Sequence, residues 1–328
     1  MTDAKDANQT LVRPRVTIGI PTYNRATMTL PATLRSALAQ SYSNVEIIVS
    51  DNCSTDETES VVGGFGSAIQ YVRQSENLGP NGNLNACVDR ASGDYVLLLH
   101  DDDLIDPDFV EACMAAVSDS RSVGLIRTGI RIIRADGTTL FERPNRATAS
   151  TSMADLMFAW FRNETTQYCC NTLYNTRALR EIGGFHSRHN LFQDALAQVK
   201  VAAMYGHAHV RDVMASWRRH DGNAGSAARA RLDDWCEDSL EVIDAICELE
   251  PESATELRRE GMRFMCAMNY LHVPQIASTT QRLSGYLLVA RRFGFAVAPF
   301  SRVYHNELRP HLRSFKRRLT SRSSRPAT

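Results

Sequence analysis

The chain has 328 residues, and its 37 lysines and arginines balance 37 aspartates and glutamates. A neutral total argues against a nucleic-acid binder, which normally carries a basic surplus. The 43% hydrophobic content suffices for a full-sized core, and no apolar run approaches the ~20 residues that span a bilayer.

The opening MTDAKDANQT is polar and acidic, so it does not read as a secretory leader. The eight cysteines form no C-x-x-C pair, which disfavours a zinc site or a thioredoxin-type motif. They read as mostly buried thiols of a cytoplasmic protein. Charge is unevenly placed, because residues 302–328 hold eight basic side chains against Glu307 alone. The expectation is a mildly acidic body with a basic tail.

Over the first 135 residues, short β-branched runs alternate with helical periodicity. Strands are predicted over 16–20, 45–50, 69–73 and 95–99, and helices over 28–40, 55–65 and 82–91. This rhythm predicts βαβ units and a parallel sheet. The unbroken apolar run 95–99 suits a strand covered on both faces. Asp106 and Pro107 read as the N-cap and first position of a helix to about 117. The run 123–133 followed by Ala135-Asp136-Gly137-Thr138 predicts a hairpin. After residue 150 the pattern turns mainly helical, with helices over 153–161, 194–205, 232–249 and 255–270.

Chemistry-bearing residues cluster where predicted strands end. His100, Asp101, Asp102 and Asp103 follow a buried strand, and adjacent carboxylates are costly to desolvate without a compensating cation. Hard oxygen donors suit Mg²⁺ or Mn²⁺, although an acidic loop capping the next helix needs no metal. Pro21-Thr22-Tyr23-Asn24-Arg25 ends the first strand, and Asp51-Asn52-Cys53-Ser54-Thr55-Asp56 ends the second. Ser54 or Thr55 also reads as an N-cap. Gly79-Pro80-Asn81-Gly82-Asn83 adds a polar loop before the fourth strand. In an open α/β sheet, ligands bind beyond such carboxyl ends.

Four stretches together carry a resemblance: VTIGIPTYNR from Val16, VEIIVSDNCSTDET from Val45, ASGDYVLLLHDDD from Ala91, and GGF from Gly183. The chain resembles family 2 glycosyltransferases of the GT-A type over roughly residues 15–222. The resemblance implies a mainly parallel α/β sheet flanked by helices, with a helical C-terminal part. The expected divisions are a flexible N-terminus (1–14), a catalytic domain (15–225, its nucleotide-binding half 15–105 and acceptor half 106–225), a helical region (226–301) and the tail (302–328).

The family implies an inverting transfer from a nucleotide-sugar donor, UDP- or dTDP-linked, to a saccharide or glycolipid acceptor in cell-envelope synthesis. Donor contacts are expected from Pro21, Thr22, Asn24, Arg25, Asp51, Asn83 and Asp101. Asp102 takes the place of the main ligand of a Mn²⁺ or Mg²⁺ ion, with Asp103 in support. His100 stands where members often carry Asp. Asp194, after the GGF segment, is the expected base, with Gln193 in place of the usual Glu. The segment from Trp217 to Asn223 resembles the loop closing over the diphosphate. There His220 is a candidate metal or donor contact, and Arg218 or Arg219 a phosphate partner.

The absence of G-x-G-x-x-G after the first strand disfavours a dinucleotide-dependent oxidoreductase. A non-catalytic carbohydrate- or nucleotide-sugar-binding protein is the alternative that the Gln193 change suggests. The basic tail and the apolar residues before it suggest peripheral attachment to an anionic membrane face.

Overall fold

The computed structural model describes residues 13–117, 123–147, 152–219, 231–276 and 278–298. The described residues within Met1–His186 and Ala197–Arg219 form one compact unit, and those within Ser187–Leu196 and His220–Thr328 form a second.

The first unit is built on β1 (Val16–Thr22), β2 (Val45–Asp51), β3 (Gln70–Arg73), β4 (Tyr95–Leu98), β5 (Leu104–Ile105), β6 (Leu125–Arg134), β7 (Thr139–Arg143), β8 (Thr172–Asn175) and β9 (His207–Arg219). They make one sheet in the order β3-β2-β1-β4-β8-β6-β9-β5, with β7 paired to β6. The expected parallel pairing holds for β3-β2-β1-β4. From β8 onward the sheet is mixed: β8 runs antiparallel to both β4 and β6, and β6 is parallel to β9. The predicted hairpin forms between β6 and β7.

Helices α1 (Leu30–Leu38), α2 (Thr58–Gly63), α3 (Gly79–Arg90), α4 (Phe109–Ala115), α5 (Met153–Phe161) and α6 (Thr176–Glu181) connect these strands. Next, α7 (Gln193–Tyr205) begins in the second unit and continues into the first. Apolar residues of β1, β2 and β4 such as Ile18, Val49 and Leu97 are fully buried against Leu34 of α1 and Phe109 and Val110 of α4 in one core. Helix α3 lies close on β1, because a Cβ at Gly19 would come within 2.8 Å of the Cys87 Cβ. The second unit contains α8 (Leu232–Leu249), α9 (Ala254–Asn269) and α10 (Thr279–Arg292).

Several expectations need correction. The Gly79–Asn83 stretch is the start of α3, with Gly79 at φ +73° and Pro80 in the first turn, where a missing N–H costs no helical bond. Helix α4 begins at Phe109 with Asp108 at its N-cap. Asp106 instead pairs with Arg131 at 3.2 Å. The mainly helical reading after residue 150 omits β8 and β9. In β9 the exposed Arg211 and Asp212 break the apolar alternation, so pairing with β6 decides the strand. Trp217, Arg218 and Arg219 therefore end a strand. Seven of the eight cysteines are buried and Cys53 is half-buried, all as free thiols.

Candidate active site

In this sheet β1 has β2 on one side and β4 on the other, while the chain runs outward through β2 to β3 before returning to β4. The ends of β1 and β4 thus lie at the switch point of the sheet, the place where open α/β sheets bind their ligands. Thr22–Arg25 leave β1 there, and His100–Asp103 follow β4.

The two segments touch. The Thr22 hydroxyl donates to Asp101 Oδ2 at 2.7 Å, and the Tyr23 N–H reaches the same oxygen at 3.3 Å. Burial and the adjacent Asp102 charge raise the Asp101 pKa to about 6, against the opposing influence of the Thr22 bond and Arg25. Asp102 and Asp103 are 8% and 1% exposed. Asp103 Oδ1 accepts the Arg218 N–H at 2.9 Å, whereas its buried Oδ2 has no hydrogen bond and lies 3.7 Å from His100 Nδ1. Burial pushes the Asp103 carboxyl up. Burial also opposes charge on His100, but the surrounding carboxylates, Asp103 foremost, outweigh it and raise its pKa to about 9.

The acidic turn is braced from two sides. Thr33 of α1 donates to the Asp103 carbonyl at 2.9 Å. Arg218 donates from Nε to the Asp102 carbonyl at 2.8 Å, and from Nη1 to the Ala135 and Arg134 carbonyls at 3.0 and 3.3 Å. Its side chain is thus buried in the support of the turn. Arg219 beside it is exposed.

At the β2 end, Asp51 is fully buried. Its Oδ1 accepts the Ser54 N–H at 2.9 Å, and its Oδ2 accepts the Tyr71 hydroxyl at 2.5 Å, with Arg73 Nη1 at 3.8 Å. Burial and Asp51 together hold the Tyr71 hydroxyl well above its ordinary range. Asn24, at φ +53°, is held in the left-handed region that Asn tolerates. Its Oδ1 accepts the Thr55 N–H at 2.8 Å, so the loops after β1 and β2 are laced together. Pro21 lies opposite Ser50 in the β1–β2 register, and Arg25 is half-buried beside Asn24. Asn83, 3% exposed, donates to the Ser50 and Thr22 carbonyls at 2.9 and 3.3 Å and accepts from the Ser50 hydroxyl at 2.7 Å. Those bonds tie α3 to the ends of β1 and β2.

Sequence reasoning missed Tyr71 and Arg73. The signal was present, because a parallel register places the end of a third strand, Arg73, opposite Asp51. The GGF segment has a structural explanation: Gly184, at φ +79°, would carry a Cβ 2.4 Å from Asn85 Oδ1, which accepts the Phe185 N–H at 2.8 Å. Asp194 belongs to the second unit, in the first turn of α7, and its Oδ1 accepts the Ala195 N–H at 2.8 Å. His220 and the tail lie outside the described residues.

The acidic turn fits a hard divalent cation. Asp101 is raised by burial and then by like charge, and Asp103 keeps a buried carboxylate oxygen without a hydrogen bond. Among the described residues no three His, Cys, Asp or Glu side chains form a metal cluster. One or two carboxylates, completed by phosphate and water, is a usual environment for Mg²⁺.

An acidic turn at the strand-order reversal of an α/β sheet stands where open sheets of this class bind their ligands. Residues 17–183 match the model of glycosyl transferase family 2, and the chain belongs to that family of enzymes. It is 40% identical over 94 residues to the GalNAc(5)-diNAcBac-PP-undecaprenol beta-1,3-glucosyltransferase of Campylobacter jejuni, over 27% of this chain and 30% of that protein. The chain thus spans about a third of the length of that relative. Among solved structures, S. aureus TarS 1-349 in complex with UDP-GlcNAc aligns with a TM-score of 0.57 and 16% identity, covering 85% of this chain and 92% of that one. The mannosyltransferase PcManGT from Pyrobaculum calidifontis, in complex with GDP-Man and Mn²⁺, aligns with a TM-score of 0.50 and 18% identity, over 90% and 87%. These structural likenesses are of fold, the GT-A fold.

Proposed function

We propose that the protein transfers a sugar from a nucleoside-diphosphate donor to a saccharide or glycolipid hydroxyl, with inversion at the anomeric carbon. The observation that carries this reading is the Thr22–Asp101 junction, which joins the acidic turn to the loop after β1 at the sheet's switch point. Thr22, Asp51 and Arg73 edge the nucleoside side, and Asp101 accepts from a donor hydroxyl. Asp102, backed by Asp103, would hold Mn²⁺ or Mg²⁺. When bound, the ion neutralises charge on the leaving diphosphate. Asp194 takes the proton of the acceptor hydroxyl as that oxygen attacks, a general-base step. Arg219, at the end of β9, pairs with phosphate oxygens of the donor, and His220 is a metal or donor contact in this reading. UDP-GlcNAc in TarS and GDP-Man with Mn²⁺ in PcManGT support a nucleotide-sugar donor and a metal, and the undecaprenol-linked substrate in the C. jejuni relative's name supports an envelope acceptor.

The test is a panel of uridine, thymidine and guanosine diphosphate sugars scored by thermal stabilisation with Mn²⁺, since a bound donor stabilises by mass action. NMR of the transfer product follows. A donor that stabilises the protein and yields the inverted anomer supports the reading, whereas no stabilising donor or a retained anomer overturns it.

A further inference from the structure

Within the second unit, the segment leading to Asp194 is organised by one buried carboxylate. Asp238 on α8 is 0% exposed. Its Oδ2 accepts the Ser187 hydroxyl at 2.6 Å, the Leu191 N–H at 2.8 Å and the Phe192 N–H at 3.3 Å, and its Oδ1 accepts the His189 N–H at 2.8 Å. The same helix supplies Glu241, whose Oε2 accepts the Arg188 N–H at 2.8 Å, and Trp235, on which Phe192 packs edge-on at 5.1 Å. Asn190 closes the turn in the left-handed region at φ +58°, its N–H on the Ser187 carbonyl at 3.2 Å. Phe192 then accepts the Leu196 N–H at 2.9 Å, so the last tie to Asp238 falls where α7 begins, two residues before Asp194.

Four donors on one carboxylate define a loop shape rather than fill a surface. Charged acceptors make stronger bonds than neutral ones, and buried N–H groups without an acceptor are costly. Nothing in the loop itself provides that convergence. We propose that Asp238 is the positioning residue for Asp194: it fixes the 187–192 loop and thereby the carboxylate that opens α7. This inference rests on the reading of Asp194 as the base. A misplacement of about 1 Å in a reacting group costs on the order of 10²-fold in rate, so the loss should appear in turnover and leave donor binding intact.

The experiment uses the full chain with the donor found by the panel above and Mn²⁺. Asp238→Asn keeps the size but turns an N–H₂ group toward donors that need an acceptor. The expected result is a fall in kcat of ~10-fold or more, with donor affinity and binding stoichiometry by calorimetry unchanged within twofold. Combined with Asp194→Asn, it should add no further loss, because both changes act through the same carboxylate. If Asp194→Asn is inactive while Asp238→Asn turns over at the wild-type rate, the inference is overturned and the base reading stands. If Asp194→Asn itself is fully active, the base reading falls and takes the inference with it. Should Asp238→Asn fail to fold, Ser187→Ala removes one of the four donors: a lowered kcat at unchanged donor affinity supports the proposal, and an unchanged kcat overturns it.

Discussion

The Thr22 hydroxyl and the Asp101 carboxylate meet at 2.7 Å although 79 positions separate them in the chain. The bond joins the ends of β1 and β4, the strands that flank the switch point. Replacing Thr22 with Val keeps the shape but leaves the half-buried Asp101 Oδ2 with the Tyr23 N–H alone, a loss of about 1 kcal/mol. We expect Thr22→Val to weaken donor binding ~10-fold in calorimetry with Mn²⁺. Wild-type affinity would separate this junction from the donor site.

Asp102 carries the metal expectation. Asp102→Ala should abolish the Mn²⁺-dependent part of donor binding while the unfolding transition stays cooperative. Fluorescence titration of donor with and without Mn²⁺ reads this directly, and an unchanged Mn²⁺ dependence would remove Asp102 from the metal site.

Asp194→Asn keeps the size of the side chain but cannot take a proton. Turnover should fall ~10²-fold or more, the usual scale of a general base, with donor affinity barely moved. Transfer at near the wild-type rate would dismiss Asp194 as the base.

Acid stability should report on a half-buried histidine in the first unit. Burial first, then repulsion from His207 and Arg127, pushes His209 down to about 3. Arg127 is 1% exposed and donates to Gln198. The unfolded chain takes up the His209 proton below about pH 6.5 and the folded chain does not, so stability falls as pH drops from about 6.5 toward 3. Relative to His209→Gln, the wild type should lose about 1–2 kcal/mol between pH 7 and pH 5. Urea unfolding at the two pH values measures it, and parallel losses in both proteins would contradict the assignment.

The basic stretch 302–328 lies outside the described residues, but the second unit exposes Leu283, Leu287 and Phe295 before it. No described helix is long and apolar enough to cross a membrane. Near an anionic surface each basic residue contributes ~1 kcal/mol in favourable cases. Full-length protein should therefore co-sediment with anionic vesicles at low salt and be released by high salt, and a version ending at Ser301 should bind less. Equal partitioning of the two would rule out the tail as an attachment device.

What the sequence determined by itself was local and periodic. β-Branched runs marked β1 to β4, and the uninterrupted run to Leu99 marked a strand buried on both faces. The acids after it announced a charged site, because such a cluster is hard to desolvate without a purpose. Helix α8 was legible to its ends from apolar spacing. Tertiary structure decided what depends on partners far away in the chain. Strand β9 contains His, Arg and Asp and becomes a strand through its pairing with β6. Arg218 looked like a loop cation for phosphate, but β9 carries it inward to three main-chain carbonyls. Asn83 fell within the expected helix, but only the packing of α3 shows that its amide lies between two strand ends. The donors of Arg218 and Asn83 are visible in the sequence, but the acceptors they meet are supplied by the fold.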